Sequence, residues 1–168
     1  MPAYQTYYAP EQAETAIRAL KAMGMHLLIH QPNYSMFNRS VEKGLGDVLR
    51  KEGVGCIAFA PLSNGLLTGK YLKGIPADSR AAHDPRYLKP EYITAEKVAK
   101  ASKLNDLAAG RGESLAQMAL QWVLRDEVVT SALIGASRPE QITENVKALS
   151  FSALTEEELG QIDQILQG

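Results

Sequence analysis

Ile134 to Asn145, reading Ile-Gly-Ala-Ser-Arg-Pro-Glu-Gln-Ile-Thr-Glu-Asn, holds the residue types best suited to chemistry in this chain. Ser137 suits a helix N-cap, Pro139 suits the first turn, and Glu140 follows Ser137 at capping-box spacing. A helix start offers unpaired backbone N–H groups and a partial positive charge, which together attract phosphate. Arg138 adds a planar fork of donors that matches a phosphate monoester. The capping pattern by itself also describes an ordinary strand-to-helix turn.

The elements that would position this segment alternate along the chain. A helix is expected from Pro10 to about Met23, stopped by Gly24. His26 to Gln31 reads as a strand covered on both faces, ended by Pro32. Ser40 caps a helix carrying Val41, Leu45, Val48 and Leu49, closed by Gly53. Gly55 to Ala60 is a second buried strand. From Pro61 to about Ile93 glycines and prolines break the pattern, although Tyr71, Tyr87 and Tyr92 argue for an ordered loop. Thr94 caps a helix to about Ala109. Ser114 and Gln117 box the start of another, ending near Arg125. Val128 to Ile134 is the third strand, and helices from Arg138 to about Leu149 and Glu156 to about Leu166 follow. This order demands parallel strands with helical crossovers. Three strands are too few to close a barrel and few for a doubly wound sheet. The expectation is α/β: one unit over residues 1–168, the back part of a larger (β/α) fold.

The chain has 168 residues, net charge −1 and 22% charged residues. That is enough for a real core, and a balance this neutral suggests neither nucleic acid nor an anionic membrane as partner. No apolar run reaches membrane-spanning length and no basic-then-apolar leader is present, so a cytoplasmic location is expected. Cys56 is expected to be buried and inert. His26 and His30 are expected to pack in the first strand and His83 to be exposed. No metal site is expected: the acids Glu156, Glu157 and Glu158 suit the first turn of a helix.

Four stretches carry a family resemblance. They are Ile29-His-Gln-Pro-Asn-Tyr-Ser-Met-Phe-Asn-Arg39, Phe59-Ala-Pro-Leu-Ser-Asn-Gly-Leu-Leu-Thr-Gly-Lys-Tyr71, Gly74-Ile-Pro-Ala-Asp-Ser-Arg80 and Gly135 to Asn145. With these, the chain resembles the aldo-keto reductase family, especially the branch with potassium-channel β subunits and bacterial glyceraldehyde-phosphate and methylglyoxal reductases. The resemblance implies a (β/α)8 TIM barrel that binds a nicotinamide cofactor, usually NADP, at the C-terminal ends of its strands. This chain resembles the rear half: the crossover helix before strand six, then strands six to eight.

Site roles follow from that resemblance. Gln31 would hold the nicotinamide carboxamide, though a Gln can simply close a strand. Phe59 would stack on the nicotinamide ring, though a strand Phe is commonly core. Ala60, Pro61, Leu62, Ser63 and Asn64 match the turn that cradles the pyrophosphate and neighbouring ribose. Lys70 and Arg80 would neutralise phosphate charge. Gly135, Ser137, Gln141, Glu144 and Asn145 match the adenine end, with Ser137 and Arg138 at the 2′-phosphate. At helical spacing Gln141, Glu144 and Asn145 share a face, which also suits a solvated polar face.

The implied activity is NADP-dependent reduction of small aldehydes, including sugar phosphates and methylglyoxal. The family's Tyr, Lys, Asp and His tetrad comes from the front half, so no residue here is expected to be catalytic and the chain alone is expected to be inactive. Met1 to Tyr4 stand where the family's turn after strand five would be. The alternative is a non-catalytic nucleotide-binding or subunit-interaction module. An open sheet exposes two edges, so self-association or a complementary half-barrel is the expected partnership.

Overall fold

Cys56 and Ala58 are completely buried while Gly55, Ile57 and Phe59 between them are only partly covered, and this alternation sets the two faces of the sheet. The computed structural model describes residues 9–77, 79–83 and 88–168, with Arg80 described by its backbone alone. Three parallel strands, β1 (Ile29–His30), β2 (Gly55–Phe59) and β3 (Val129–Leu133), form an open sheet in the order β1-β2-β3. The helices are α1 (Pro10–Ala22), α2 (Leu45–Glu52), a one-turn α3 (Arg80–His83), α4 (Ala95–Gly110), α5 (Leu115–Leu124), α6 (Pro139–Val146) and α7 (Glu156–Gln167). Together they bear out the expected α/β architecture with parallel strands and a sheet that does not close.

The register holds one irregularity. Cys56 pairs with Val129, but Ile57 pairs with Ser131, so Thr130 is an extra residue in β3. Its hydroxyl accepts a hydrogen bond from the Cys56 N–H at 3.2 Å. Gly55 makes room for this: a Cβ there would lie 3.0 Å from Thr130 Oγ1. A one-residue slip exchanges the faces of a strand. Beyond the bulge, Phe59 and Leu133 are paired and both point to the open face.

Several expected boundaries need correction. The first strand is short, and Met25, His26, Leu28 and Ile29 are exposed rather than covered on both sides. Among the described residues this strand is an edge, with β2 on one side only. Ser40 opens a short 3-10 turn instead of α2, because Gly44 at φ 94° interrupts the chain before Leu45. The last turn beyond α6 is likewise 3-10, over Lys147–Ser150. The stretch from Pro61 to Ile93 is partly built: 3-10 turns at Ser63–Thr68 and Pro90–Tyr92 flank α3. Leu66, Tyr71, Ala81 and Leu88 bury one another there. Tyr92 is exposed, and Tyr87 lies outside the described residues.

The main core lies between sheet and helices, and Trp122 is completely buried in it. Arg125 stacks 3.7 Å from the centre of its ring and Arg39 lies 5.3 Å away. Glu42 joins them, accepting from Arg39, from the Tyr34 hydroxyl at 2.7 Å and from Arg125 at 2.9 Å. Burial raises the Glu42 carboxyl's pKa, but the hydrogen bonds from Arg39, Tyr34 and Arg125 outweigh it and hold the group below its ordinary value of 4.5. A carboxylate with a depressed folded pKa stabilises the fold above its unfolded pKa and loses that contribution as pH falls. Wild type is therefore expected to lose more stability than Glu42→Gln between about pH 5 and 3, measured as the shift in urea midpoint. Equal shifts would separate Glu42 from the acid response.

Candidate cofactor cleft

The parallel strands bring the tips of β1, β2 and β3 to one end of the sheet. Beside the tips of β2 and β3 lies a cleft of about 830 Å³. Its walls include Phe59, Ala60, Pro61, Leu62, Asn64, Lys70, Gly135, Ser137 and Gln141, all expected from the sequence. Gly65, Thr68, Tyr71, Ser79, His83, Leu133 and Ile134 complete it. The sequence reading missed these. Leu133 and Ile134 follow from the strand register, and Gly65, Thr68 and Tyr71 lie inside the stretch already singled out.

Phe59 ends β2 half-covered on the open face, so it is not a core side chain. After it the backbone turns left-handed at Ala60 (φ 52°), Ser63 (φ 48°), Asn64 (φ 55°) and Gly65 (φ 98°). Each non-glycine residue there costs about 1–2 kcal/mol. The turn is closed by Ser63 N–H to Ala60 O at 2.9 Å, Gly65 N–H to Leu62 O at 2.9 Å and Leu67 N–H to Leu62 O at 3.1 Å. Concavities lined by backbone N–H groups form where a right-handed residue precedes a left-handed one, as Leu62 (φ −94°) precedes Ser63 here, and such concavities suit anions. Ser63 belongs to this turn without lining the cleft.

At the tip of β3, α6 begins differently from the expected capping box. Arg138, not Ser137, is the N-cap, and the Ser137 hydroxyl donates rather than accepts. The Gln141 side-chain oxygen takes the bonds, from Ser137 N–H at 2.8 Å, from Ser137 Oγ at 3.2 Å and from Arg138 N–H at 3.3 Å. Gln141, four residues on from Ser137, therefore does the work assigned to Glu140. Its amide nitrogen donates in none of these bonds.

Other expected residues stand apart. Gln31 is exposed just past β1, one strand over from the cleft. Arg138 is exposed at the helix start but is not part of the cleft wall. Glu144 and Asn145 are one turn further along α6, where the helix has left the cleft. Glu144 pairs with Lys147 at 2.6 Å, and Asn145 is buried, so the expected shared polar face is divided. The Arg80 side chain lies outside the described residues.

Among the histidines, His30 is buried and His83 exposed, as expected, while His26 is exposed on the uncovered edge. Cys56 is completely buried, and burial pushes its thiol up to about 11. Such a thiol is inert at neutral pH. Among the described residues no helix is long and apolar enough to cross a membrane.

Comparison with known proteins covers nearly the whole chain. Residues 6–167 match the model of the Aldo/keto reductase family. The chain is 52% identical over 161 residues to an L-glyceraldehyde 3-phosphate reductase of Escherichia coli O157:H7, covering 94% of this chain and 46% of that protein. It is 37% identical over 144 residues to a probable voltage-gated potassium channel subunit beta of Oryza sativa subsp. japonica, covering 83% of this chain and 44% of that one. Among solved structures, a glycerol dehydrogenase from Gluconobacter oxydans superposes with TM-score 0.67 at 27% identity, covering 96% of this chain and 55% of the other. The chain spans about half the length of the relatives it matches. With the strand tips, the cleft and the sequence match in agreement, the chain belongs to the aldo/keto reductase family.

Proposed function

We propose that this chain is the cofactor-binding portion of an NADP-dependent aldo-keto reductase acting on small aldehydes, sugar phosphates among them. One observation carries the reading: the tip of β2, the left-handed turn after it and the start of α6 meet in a single cleft. The residues present fit a dinucleotide. Phe59 offers a flat apolar face to a nicotinamide ring, and Gln31 an amide to its carboxamide. The turn from Ala60 to Asn64 offers backbone to the diphosphate, and Lys70 and Arg80 offer charge. Ser137 and Arg138 receive the 2′-phosphate at the helix start, while Gly135 lies at the adenine end and Gln141 offers its amide nitrogen to the adenine edge. When bound, the cofactor supplies hydride to a carbonyl carbon. These residues hold and orient it, while the proton donor belongs to residues outside this chain. Similarity to a glyceraldehyde 3-phosphate reductase supports the substrate class.

Similarity to channel β subunits favours a second reading, a nucleotide-binding module without turnover. Both readings expect the full chain to quench or shift NADPH fluorescence on binding. Losing a charge-assisted hydrogen bond costs about 1.5–3 kcal/mol. Arg138→Ala should therefore weaken NADPH binding roughly ten- to a hundredfold and leave NADH nearly unchanged. Unaltered NADPH affinity would remove Arg138 from the 2′-phosphate, and no NADPH binding by wild type would end the proposal.

The chain alone is expected to show no NADPH oxidation with glyceraldehyde or methylglyoxal. Measurable turnover would place the proton donor among these 168 residues.

The open edges support the expected partnership. Leu28 and Ile29 are exposed at the β1 edge, Leu133 at the end of β3, and Ile142, Val146 and Leu149 on α6 and the turn after it. We therefore expect the chain to self-associate or to bind a complementary half-barrel through these edges. Sedimentation velocity across micromolar concentrations should show association of the isolated chain. A sharp, concentration-independent monomer with cooperative unfolding would contradict it.

A further inference from the structure

We propose that Thr68 and Tyr71 are positioning residues that hold the left-handed turn at Ser63–Gly65 in its phosphate-receiving shape before any ligand arrives. The proposal rests on the nucleotide-binding reading above and assigns work to two residues that reading leaves unused.

Gly65 is gripped from two sides. A Cβ at this position would come within 3.3 Å of Tyr71 Cε2, so the ring lies against the glycine where no side chain fits comfortably. Tyr71 is only 3% exposed and packs with Leu66, Ala81 and Leu88, which prevents the ring from swinging away. On the other side the Thr68 hydroxyl donates to the Gly65 carbonyl at 2.8 Å. The same hydroxyl accepts from the Lys70 N–H at 3.4 Å. One residue thus ties the turn to the backbone of the cation expected at the phosphates.

The turn has reason to need such a clamp. Left-handed conformations at Ser63 and Asn64 are unfavourable and persist only where the surroundings over-determine them. Its own bonds run from the N–H groups of Ser63, Gly65 and Leu67 back to Ala60 and Leu62, so the Gly65 N–H is held within the turn while its carbonyl is held by Thr68. Thr68 and Tyr71 complete the fixation of Gly65, one through the carbonyl and the other through the ring. A turn ordered in advance lowers the conformational cost of binding.

The test titrates the 168-residue chain and its variants with NADPH and with adenosine 2′-monophosphate, which carries the adenine end but no diphosphate. Thr68→Val and Tyr71→Ala are expected to weaken NADPH by about tenfold or more. Their affinity for adenosine 2′-monophosphate should stay within about twofold of wild type, because α6 is untouched. Thr68→Ser keeps the hydroxyl and Tyr71→Phe keeps the ring, so both should restore wild-type NADPH binding. Unchanged NADPH affinity in Thr68→Val and Tyr71→Ala would overturn the proposal. So would equal loss of both ligands, which is a general folding defect, or failure of the conservative pair to restore binding. Absence of NADPH binding by wild type would instead overturn the nucleotide reading, and the clamp with it.

Discussion

Parallel pairing of three strands is the constraint on which the site depends. Strands that run the same way deliver their carboxyl ends to one side, and everything that could meet a ligand here follows a strand tip or lies in the loop after β2. Position along that side is set by the bulge at Thr130. Had the Cys56–Val129 register continued without the shift, Phe59 would pair with Ala132 and Leu133 would pair with nothing in β2. Gly55 allows the bulge to form, because a side chain there would crowd the Thr130 hydroxyl. A residue near the amino end of β2 therefore helps decide which side chains share the cleft at its other end.

The same sheet is unevenly protected. Its helix-facing side holds Cys56, Ala58 and Val129 against a core that includes Trp122, Leu104 and Met118. The other face keeps Ile57 and Phe59 half-covered and Leu133 exposed. A large apolar side chain contributes about 1.5–3 kcal/mol when buried. Leaving several uncovered is a substantial fraction of the about 5–15 kcal/mol that stabilises an ordinary domain. The Trp122 stack with Arg39 and Arg125, tied by Glu42, lies within the covered side. The candidate cleft and the uncovered apolar side chains thus share one face, whereas the packed core lies on the other.

The sequence made the architecture legible wherever a local rule acts alone. Thr94, Ser114 and Thr155 cap their helices as their spacing with Lys97, Gln117 and Glu158 requires. The strands around Cys56 and Val129 are marked by short apolar runs. Local rules failed where a neighbour decides the outcome. Leu28 and Ile29 have the composition of a covered strand, yet coverage depends on a second adjoining strand, and among the described residues β1 adjoins only β2. Ser137 has the composition of a cap, yet its hydroxyl donates to Gln141, a longer side chain one turn on whose oxygen also takes the Ser137 and Arg138 N–H groups. Glu144 and Asn145 lie three and four residues on from Gln141, the spacing of one face, but Asn145 is buried while Gln141 and Glu144 are exposed.

The cleft was more legible than its supports. Phe59 to Asn64 and Gly135 to Gln141 could be found because they are contiguous and follow strands. Tyr71 could not, because its significance is the approach of its ring to the place a Cβ would take on Gly65, which no periodicity encodes. Its burial depends on Leu66, Ala81 and Leu88, which the chain gathers into a small core of their own. That core makes the stretch after β2 more than a covering loop. Leu66 and Leu67 are both buried, so the left-handed turn is anchored on one side to the small core and on the other to the main one. A turn anchored to both cores cannot relax its backbone without disturbing packed side chains, which is how a strained conformation persists at the mouth of the cleft.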